Sequence, residues 1–87
     1  MNISKLEQRV LHVLAQGGQI RYTRGPNRKL IQTDCFTQDG LILIGCTPRI
    51  VSTLRHKRLI ESRNSSPYRI SMLGRRSVRS QLDNRTS

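Results

Sequence analysis

Aromatic and acidic side chains are scarce in this sequence of 87 residues. Tryptophan is absent, and the aromatic side chains are Tyr22, Phe36 and Tyr68. Recognition of single-stranded RNA by base stacking needs several exposed rings, so this mode of binding is disfavoured. Only five Asp and Glu are present, and they are scattered, whereas metal-dependent nucleases need clustered carboxylates. The sequence therefore predicts neither a base-stacking platform nor a carboxylate metal site.

Long apolar runs and nucleotide-binding motifs are also missing. No apolar stretch approaches the roughly 20 residues that span a bilayer, and residues 1–8 lack the apolar segment of a signal peptide. The glycines match neither a P-loop nor the dinucleotide-binding spacing. We therefore expect a cytoplasmic protein that needs no cofactor and does not bind membranes.

The chain has only two cysteines, Cys35 and Cys46, and neither belongs to a C-x-x-C pair. They cannot form a zinc site alone, so no metal is expected. A disulfide is disfavoured in a reducing cytoplasm, and small buried side chains are the default interpretation. Cys46 precedes a predicted helix, where a lowered pKa would favour a nucleophile.

Positive charge is abundant by contrast. Sixteen Lys and Arg give a net charge of +11, and all but Lys5, Lys29 and Lys57 of these are arginine. Arginine binds phosphate with a planar fork of donors, so the composition favours a polyanionic partner. An apolar fraction of 34% is low for a small domain, which makes a homodimer one way to bury more apolar surface.

The first half of the chain predicts one helix and three short strands. Residues 4–16 form a helix, because Ser4 and Glu7 make a capping box before an apolar stripe. Residues 19–24 and 30–36 read as strands. Asp39-Gly40 is a hairpin signal, and the apolar run 41–44 predicts a third strand that is buried on both faces.

The second half is arranged around a short basic helix. Thr47 is a suitable N-cap and Pro48 a suitable first residue. Ile50, Val51 and Leu54 are expected to face the core, with the basic and hydroxyl-bearing residues on the opposite side. Leu59 and Ile60 end the helical pattern.

A hairpin and a last helix follow. Residues 60–63 and 68–71 predict the two strands of a wing, joined by the turn at 64–67. Ser71 caps a helix over 72–82, and residues 83–87 form a polar, frayed tail. We expect Met72, Val78 and Leu82 to pack inward and Arg75, Arg76 and Arg79 to lie outside.

Taken together, residues 1–87 predict one α+β, winged-helix-like domain in the order helix, three short strands, helix, β-hairpin, helix. The segments EQRVLHVLAQGGQI, DGLILIGCT, RHKRLIES and PYRISMLGRRSVRSQLDNR resemble the YjhX family of small bacterial proteins. The resemblance covers nearly the whole chain. It implies a candidate toxin of a toxin–antitoxin pair, with a cognate antitoxin that is acetyltransferase-like by analogy.

A looser resemblance is to winged-helix regulators, carried by RHKRLIES, the hairpin and SMLGRR. The sequence departs from that pattern, because residues 30–44 read as strands where a winged helix has another helix. This departure puts ordinary major-groove docking in doubt.

The predicted function is non-catalytic binding of nucleic acid, with duplex DNA favoured over RNA. The helix would face the groove and the two hairpins would contact phosphates. The candidate binding residues are Arg49, Ser52, Arg55, His56, Arg63, Arg69, Arg28 and Lys29.

Two alternatives stay open. A metal-free ribonuclease would use His12 and His56 as acid and base, assisted by Tyr22 or Tyr68. A toxin that acts only by protein binding would dock its basic surface on an acidic target.

Overall fold

The computed structural model describes residues 2–78, which form three helices and two small antiparallel sheets. The predicted α+β class and the predicted order of elements are confirmed. The predicted helix end at Leu82, the side chain of Arg79 and the tail at 83–87 lie outside the described residues. The elements are α1 (Lys5–Ala15), β1 (Gln19–Arg24), β2 (Leu30–Phe36), β3 (Ile42–Leu43), α2 (Pro48–His56), β4 (Ile60–Glu61), β5 (Arg69–Ile70) and α3, helical over 72–78.

Helix α1 begins with the predicted capping box. The Ser4 hydroxyl accepts a hydrogen bond from the Glu7 backbone N–H at 3.1 Å, and the Glu7 carboxylate accepts one from the Ser4 N–H at 3.0 Å. Glu7 is buried although it is charged. The ammonium of Lys57, 2.9 Å from its carboxylate, compensates for the lost hydration. Leu11 and Val10 are fully buried. The ion pair between Glu7 and Lys57 ties the start of α1 to the end of α2.

Strand β2 lies between β1 and β3 in the larger sheet. Ile20 pairs with Cys35, which pairs with Leu43, so these three residues share the face that packs on the core. Phe36 and Ile42 pair on the opposite face.

The prediction that residues 41–44 form a strand buried on both faces is wrong. The strand is only Ile42–Leu43, and Leu41, Ile42 and Ile44 are 68%, 59% and 87% exposed. The reason is position, because β3 is an edge strand and no element within residues 2–78 pairs with its free side. Four consecutive apolar residues indicated burial that only Leu43 partly achieves.

Helix α2 follows the predicted pattern. The Thr47 hydroxyl accepts a hydrogen bond from the Ile50 N–H at 3.3 Å, and Val51 and Leu54 are fully buried. Arg58, at a φ of 60°, turns the chain out of the helix. Leu59 then enters the core, also fully buried.

The predicted wing folds as a hairpin over residues 60–70, and we keep the name wing for this hairpin. Its strands β4 and β5 pair Ile60 with Ile70, and the turn between them contains Asn64 and Ser65 at positive φ. Tyr68 and Ile20 exchange two backbone hydrogen bonds, at 3.0 and 2.9 Å. These bonds fix the wing to β1 and place it beside α2.

Helix α3 starts at the predicted cap. The Ser71 hydroxyl accepts from the Gly74 N–H at 3.0 Å and donates to the Arg58 carbonyl at 2.6 Å. Val78 is buried as predicted, but Met72 is 73% exposed, so its inward placement was wrong. The two residues are six positions apart, which puts them about 120° apart around the helix. No helix within residues 2–78 is long and apolar enough to cross a membrane.

Candidate nucleic-acid interface

The outer face of α2 presents three of the predicted residues. Arg49 and His56 are exposed and Ser52 is half-buried, on the side of the helix away from Val51 and Leu54. Arg55 occupies the last turn, where a cation interacts favourably with the helix dipole. These side chains are free to meet an anionic surface.

The wing contributes Arg63 and Arg69. The Arg63 guanidinium lies 3.8 Å from the Glu61 carboxylate, and its side chain remains 85% exposed. Arg69 donates long hydrogen bonds to the Gly17 carbonyl at 3.4 Å and the Gln19 side-chain oxygen at 3.5 Å. Both arginines line a shallow hollow of about 150 Å³ on the wing. The structure therefore brings these two predicted residues together.

Arg28 and Lys29 lie in the turn between β1 and β2, and both are exposed. Arg28 has a φ of 60°, and its carbonyl accepts a hydrogen bond from the Arg24 guanidinium at 2.7 Å. Arg24 itself donates from its other terminal nitrogen to the Tyr68 hydroxyl at 3.1 Å. One arginine thus connects the turn to the wing.

A cleft of about 370 Å³ opens between β1, the end of α2 and the wing. We call it the Tyr–Arg cleft. The centroids of its two tyrosine rings are 4.9 Å apart, and the Arg24 guanidinium lies 5.2 Å from the centroid of Tyr22. The lining includes Tyr22, Arg24, Arg55, Glu61, Ser62 and Tyr68.

Of the eight predicted binding residues, only Arg55 lines this cleft. Sequence reasoning missed Arg24 entirely and gave the two tyrosines only a supporting role in a ribonuclease. The cleft depends on the pairing of Ile20 with Tyr68. These two residues are 48 positions apart in the sequence. No local pattern indicates such a pairing.

The structure does not bring the two histidines into one hollow. His12 lines a separate depression on α1 with Lys5, Gln8 and Arg9, whereas His56 lies on the outer face of α2. The arrangement gives no acid–base pair to the ribonuclease alternative.

Cys35 and Cys46 are buried and free, as the default interpretation expected. The hydrogen bond with Cys35, together with burial, raises the pKa of the Cys46 thiol. The alternative in which the helix start lowers this pKa is contradicted, because the thiol is inside the core. A protonated, buried thiol is a poor nucleophile.

Acidic partners are few around these cations. Within residues 2–78, ion pairs link only Lys57 to Glu7 and Arg63 to Glu61. Backbone carbonyls orient Arg24 and Arg69 but leave their charge in place. The basic residues on α2, the wing and the β1–β2 turn therefore produce a positive potential that attracts polyanions.

Comparison with known proteins identifies relatives along the full chain. A family model described as "Putative toxin of bacterial toxin-antitoxin pair" matches residues 1–85. A UPF0386 protein of Ruegeria sp. (strain TM1040) is 61% identical, over 98% of this chain and 100% of the relative. A UPF0386 protein of Beijerinckia indica subsp. indica is 62% identical with the same coverage, and one of Brucella anthropi is 58% identical, again over 98% and 100%. No solved structure matches the chain.

Proposed function

This chain belongs to the YjhX family, described as the "putative toxin" of bacterial toxin–antitoxin pairs, and we propose that it acts as a non-catalytic, nucleic-acid-binding protein within such a pair. The proposed ligand is duplex DNA. The protein would act in the cytoplasm and contact the DNA through a winged-helix-like arrangement. Helix α2 faces the groove, while the wing and the β1–β2 turn hold phosphates.

One observation carries this proposal. Three separate elements, α2, the wing and the β1–β2 turn, present exposed arginine or lysine, and only Arg63 among the eight candidate residues has an acidic partner within residues 2–78. A surface that served solubility alone would mix both signs of charge. The pairing of β1 with Tyr68 holds the wing in position beside α2.

The placement of the aromatic rings favours a duplex over a single strand. Tyr22 and Tyr68 lie against each other in the cleft, and Arg21 stacks over Phe36 at 5.2 Å. Within residues 2–78, each aromatic ring already contacts another ring or a guanidinium, which disfavours the platform for successive bases that single-strand binding uses. The remaining mode of binding is contact with the phosphate backbone and the groove of a duplex.

A toxin–antitoxin family implies a cognate antitoxin, and the free edge of β3 suits that partner. Leu41, Ile42 and Ile44 form an exposed apolar edge. Of the described acidic residues, Asp34 and Asp39 lie on the neighbouring strand and turn, so this region is less positive than the rest. We propose that the antitoxin, acetyltransferase-like by analogy, docks on this apolar edge and leaves the basic surface accessible.

The proposed function is tested with labelled duplex DNA and RNA of equal length, titrated with the protein over a series of salt concentrations. We expect binding to duplex DNA that persists at physiological salt, with intact strands at the end of each titration. Shortened RNA would replace the proposal with the ribonuclease alternative. Binding that disappears before physiological salt would favour a toxin that acts through proteins alone.

A further inference from the structure

The Tyr–Arg cleft contains donors that the fold itself does not use. We propose that this cleft is a binding site for one phosphate group, held by Arg24, Arg55 and the Tyr68 hydroxyl. The inference rests on the proposed function in so far as the phosphate belongs to nucleic acid, and it adds Arg24 and Tyr68 to the candidate binding residues.

The Tyr68 hydroxyl is the first of these donors. Tyr68 is only 3% exposed, and its oxygen accepts a hydrogen bond from Arg24. Its own proton meets no acceptor among the described residues. A buried hydroxyl normally uses its donor as well as its acceptor, so a ligand oxygen in the cleft would complete the pattern.

Arg24 is the second donor, and the fold orients it in advance. One terminal nitrogen is held by the Arg28 carbonyl and the other by Tyr68, while the ring of Tyr22 lies beside the guanidinium. Three contacts fix the position of the charge, and the remaining N–H groups are not used by described residues. Arginine fixed in this way loses little conformational entropy when it binds an oxyanion.

Arg55 provides the second cation from α2, across the cleft. It is exposed, and its guanidinium has no hydrogen-bond or ion-pair partner among the described residues. Two guanidinium groups and a hydroxyl surrounding one hollow match the several oxygens of a phosphate.

The remaining lining groups decide how selective the cleft is for anions. The Ser62 hydroxyl donates its proton to the Ser66 carbonyl. Its oxygen therefore accepts the hydrogen bond from the Tyr22 hydroxyl at 3.3 Å, and neither the Ser62 nor the Tyr22 proton is free for a ligand. Glu61 is the one carboxylate in the lining, and Arg63 offsets its charge from 3.8 Å. The balance at the cleft remains positive.

The chain carries its own reporter for this site. Both of its tyrosines line the cleft and tryptophan is absent, so tyrosine fluorescence responds to the cleft directly. Inorganic phosphate and ribose 5-phosphate do not absorb at the excitation wavelength and are suitable probes. Each is titrated against the full chain at constant ionic strength, with sodium chloride as the reference salt.

We expect a saturable change in tyrosine fluorescence with phosphate and none with chloride. Tyr68→Phe keeps the ring and removes the proton, and Tyr22 still reports. We expect it to weaken phosphate binding about tenfold, the usual scale for one hydrogen bond to a charged group. Arg24→Gln weakens it at least as much. Arg75→Gln removes the same charge from the exposed side of α3 and leaves binding unchanged.

The same variants distinguish a backbone phosphate from a free phosphomonoester. If Tyr68→Phe also weakens duplex DNA binding severalfold and phosphate competes with DNA, the phosphate belongs to nucleic acid. Saturable phosphate binding without any DNA binding keeps the cleft assignment and overturns the proposed function. DNA binding that is unaffected by Tyr68→Phe, with no response to phosphate, overturns the cleft assignment alone. Equal effects of Arg24→Gln and Arg75→Gln would also overturn it.

Discussion

At the scale of single residues, Gly74 shows how a close approach selects an amino acid. A methyl group at this position would lie 2.3 Å from the Leu59 carbonyl oxygen and 2.7 Å from the Ile70 side chain. The backbone carbonyl cannot move away without disturbing the start of the wing. Glycine therefore sits in the first turn of α3 although it is a poor helix former.

Gly74→Ala should consequently destabilise the protein. Helix propensity alone would add about 1 kcal/mol of stability, but overpacking costs roughly 1–3 kcal/mol, and the clash with backbone places the result at the destabilising end. Urea denaturation followed by circular dichroism measures the change. Arg75→Ala, one residue further on and exposed, is the matched control and should stay within about 0.5 kcal/mol of wild type. A stabilised Gly74→Ala would contradict the close packing.

Glu7 makes the stability depend on pH. Burial acts to raise the pKa of this carboxyl, but the hydrogen bond from the Ser4 backbone and the ammonium of Lys57 outweigh it, so the pKa lies below its ordinary value of 4.5. A carboxyl with a lowered pKa stabilises the fold above that ordinary value. The contribution is lost as the pH falls through the lower, native-state pKa.

Glu7→Gln should flatten this acid dependence. The variant is less stable than wild type at pH 7, because it loses the charge that Lys57 pairs with, and the difference narrows below pH 4.5. Urea midpoints at several pH values between neutral and strongly acidic provide the measurement. Lys57→Gln removes the other partner of the ion pair. The stability difference between this variant and wild type should also narrow as the pH falls. Parallel curves for wild type and Glu7→Gln would refute the assignment.

The residues whose roles could be predicted act locally in sequence. Ser4, Thr47 and Ser71 were identified as helix caps because a cap and the N–H it accepts from are two or three positions apart. Gly74 and Tyr68 could not be understood in this way. Their roles depend on Leu59 and Ile20, which only the folded chain brings near.

At the scale of elements, α2 and the hairpin at residues 60–70 form where the sequence predicted them, whereas β3 is not buried as predicted. The periodicity of α2 separates its buried and exposed sides correctly, because a helix repeats its faces within a few residues. A four-residue apolar run cannot indicate whether the strand lies inside a sheet or at its edge. Leu41, Ile42 and Ile44 are exposed because β3 lies at the edge of its sheet.

The contribution of α2 to binding is tested by Arg49→Gln with Arg55→Gln. Each lost phosphate contact reduces the salt slope of binding by about one, so the double variant should lose about two, together with affinity at physiological salt. Arg75→Gln with Arg76→Gln removes the same charge from α3 and is the control. Fluorescence anisotropy of a labelled duplex provides both slopes. If the two double variants lose affinity equally, net charge alone explains binding.

At the scale of the whole molecule, charge and apolar surface are separated. The cations of α2, the wing and the β1–β2 turn are exposed, while the exposed apolar edge of β3 lies near Asp34 and Asp39. A protein organised in this way can bind a polyanion and a protein partner through different surfaces. The sequence predicted the first surface from its arginines, but the second became visible only when β3 was found at an edge.

Ile42→Thr with Ile44→Ser tests the second surface without changing the charge. Since both side chains are exposed, the variant should fold normally and bind DNA as wild type does. We expect its affinity for the co-expressed antitoxin to fall at least tenfold, as for central apolar contacts of an interface. Met72→Ser, exposed on α3, is the control. Unchanged antitoxin binding, or a wild-type homodimer that this variant dissociates in sedimentation, would assign the edge to another role.

The central claim is that nucleic acid contacts α2, the wing and the β1–β2 turn. Amide chemical shifts of isotope-labelled protein, followed by NMR during titration with a short duplex DNA at physiological salt, test it residue by residue. We expect the largest shift changes at Arg49, Arg55, Arg63, Arg69 and Arg28, with small changes at the apolar edge of β3. Changes concentrated at the β3 edge or on the exposed side of α1, or none at all, would contradict it.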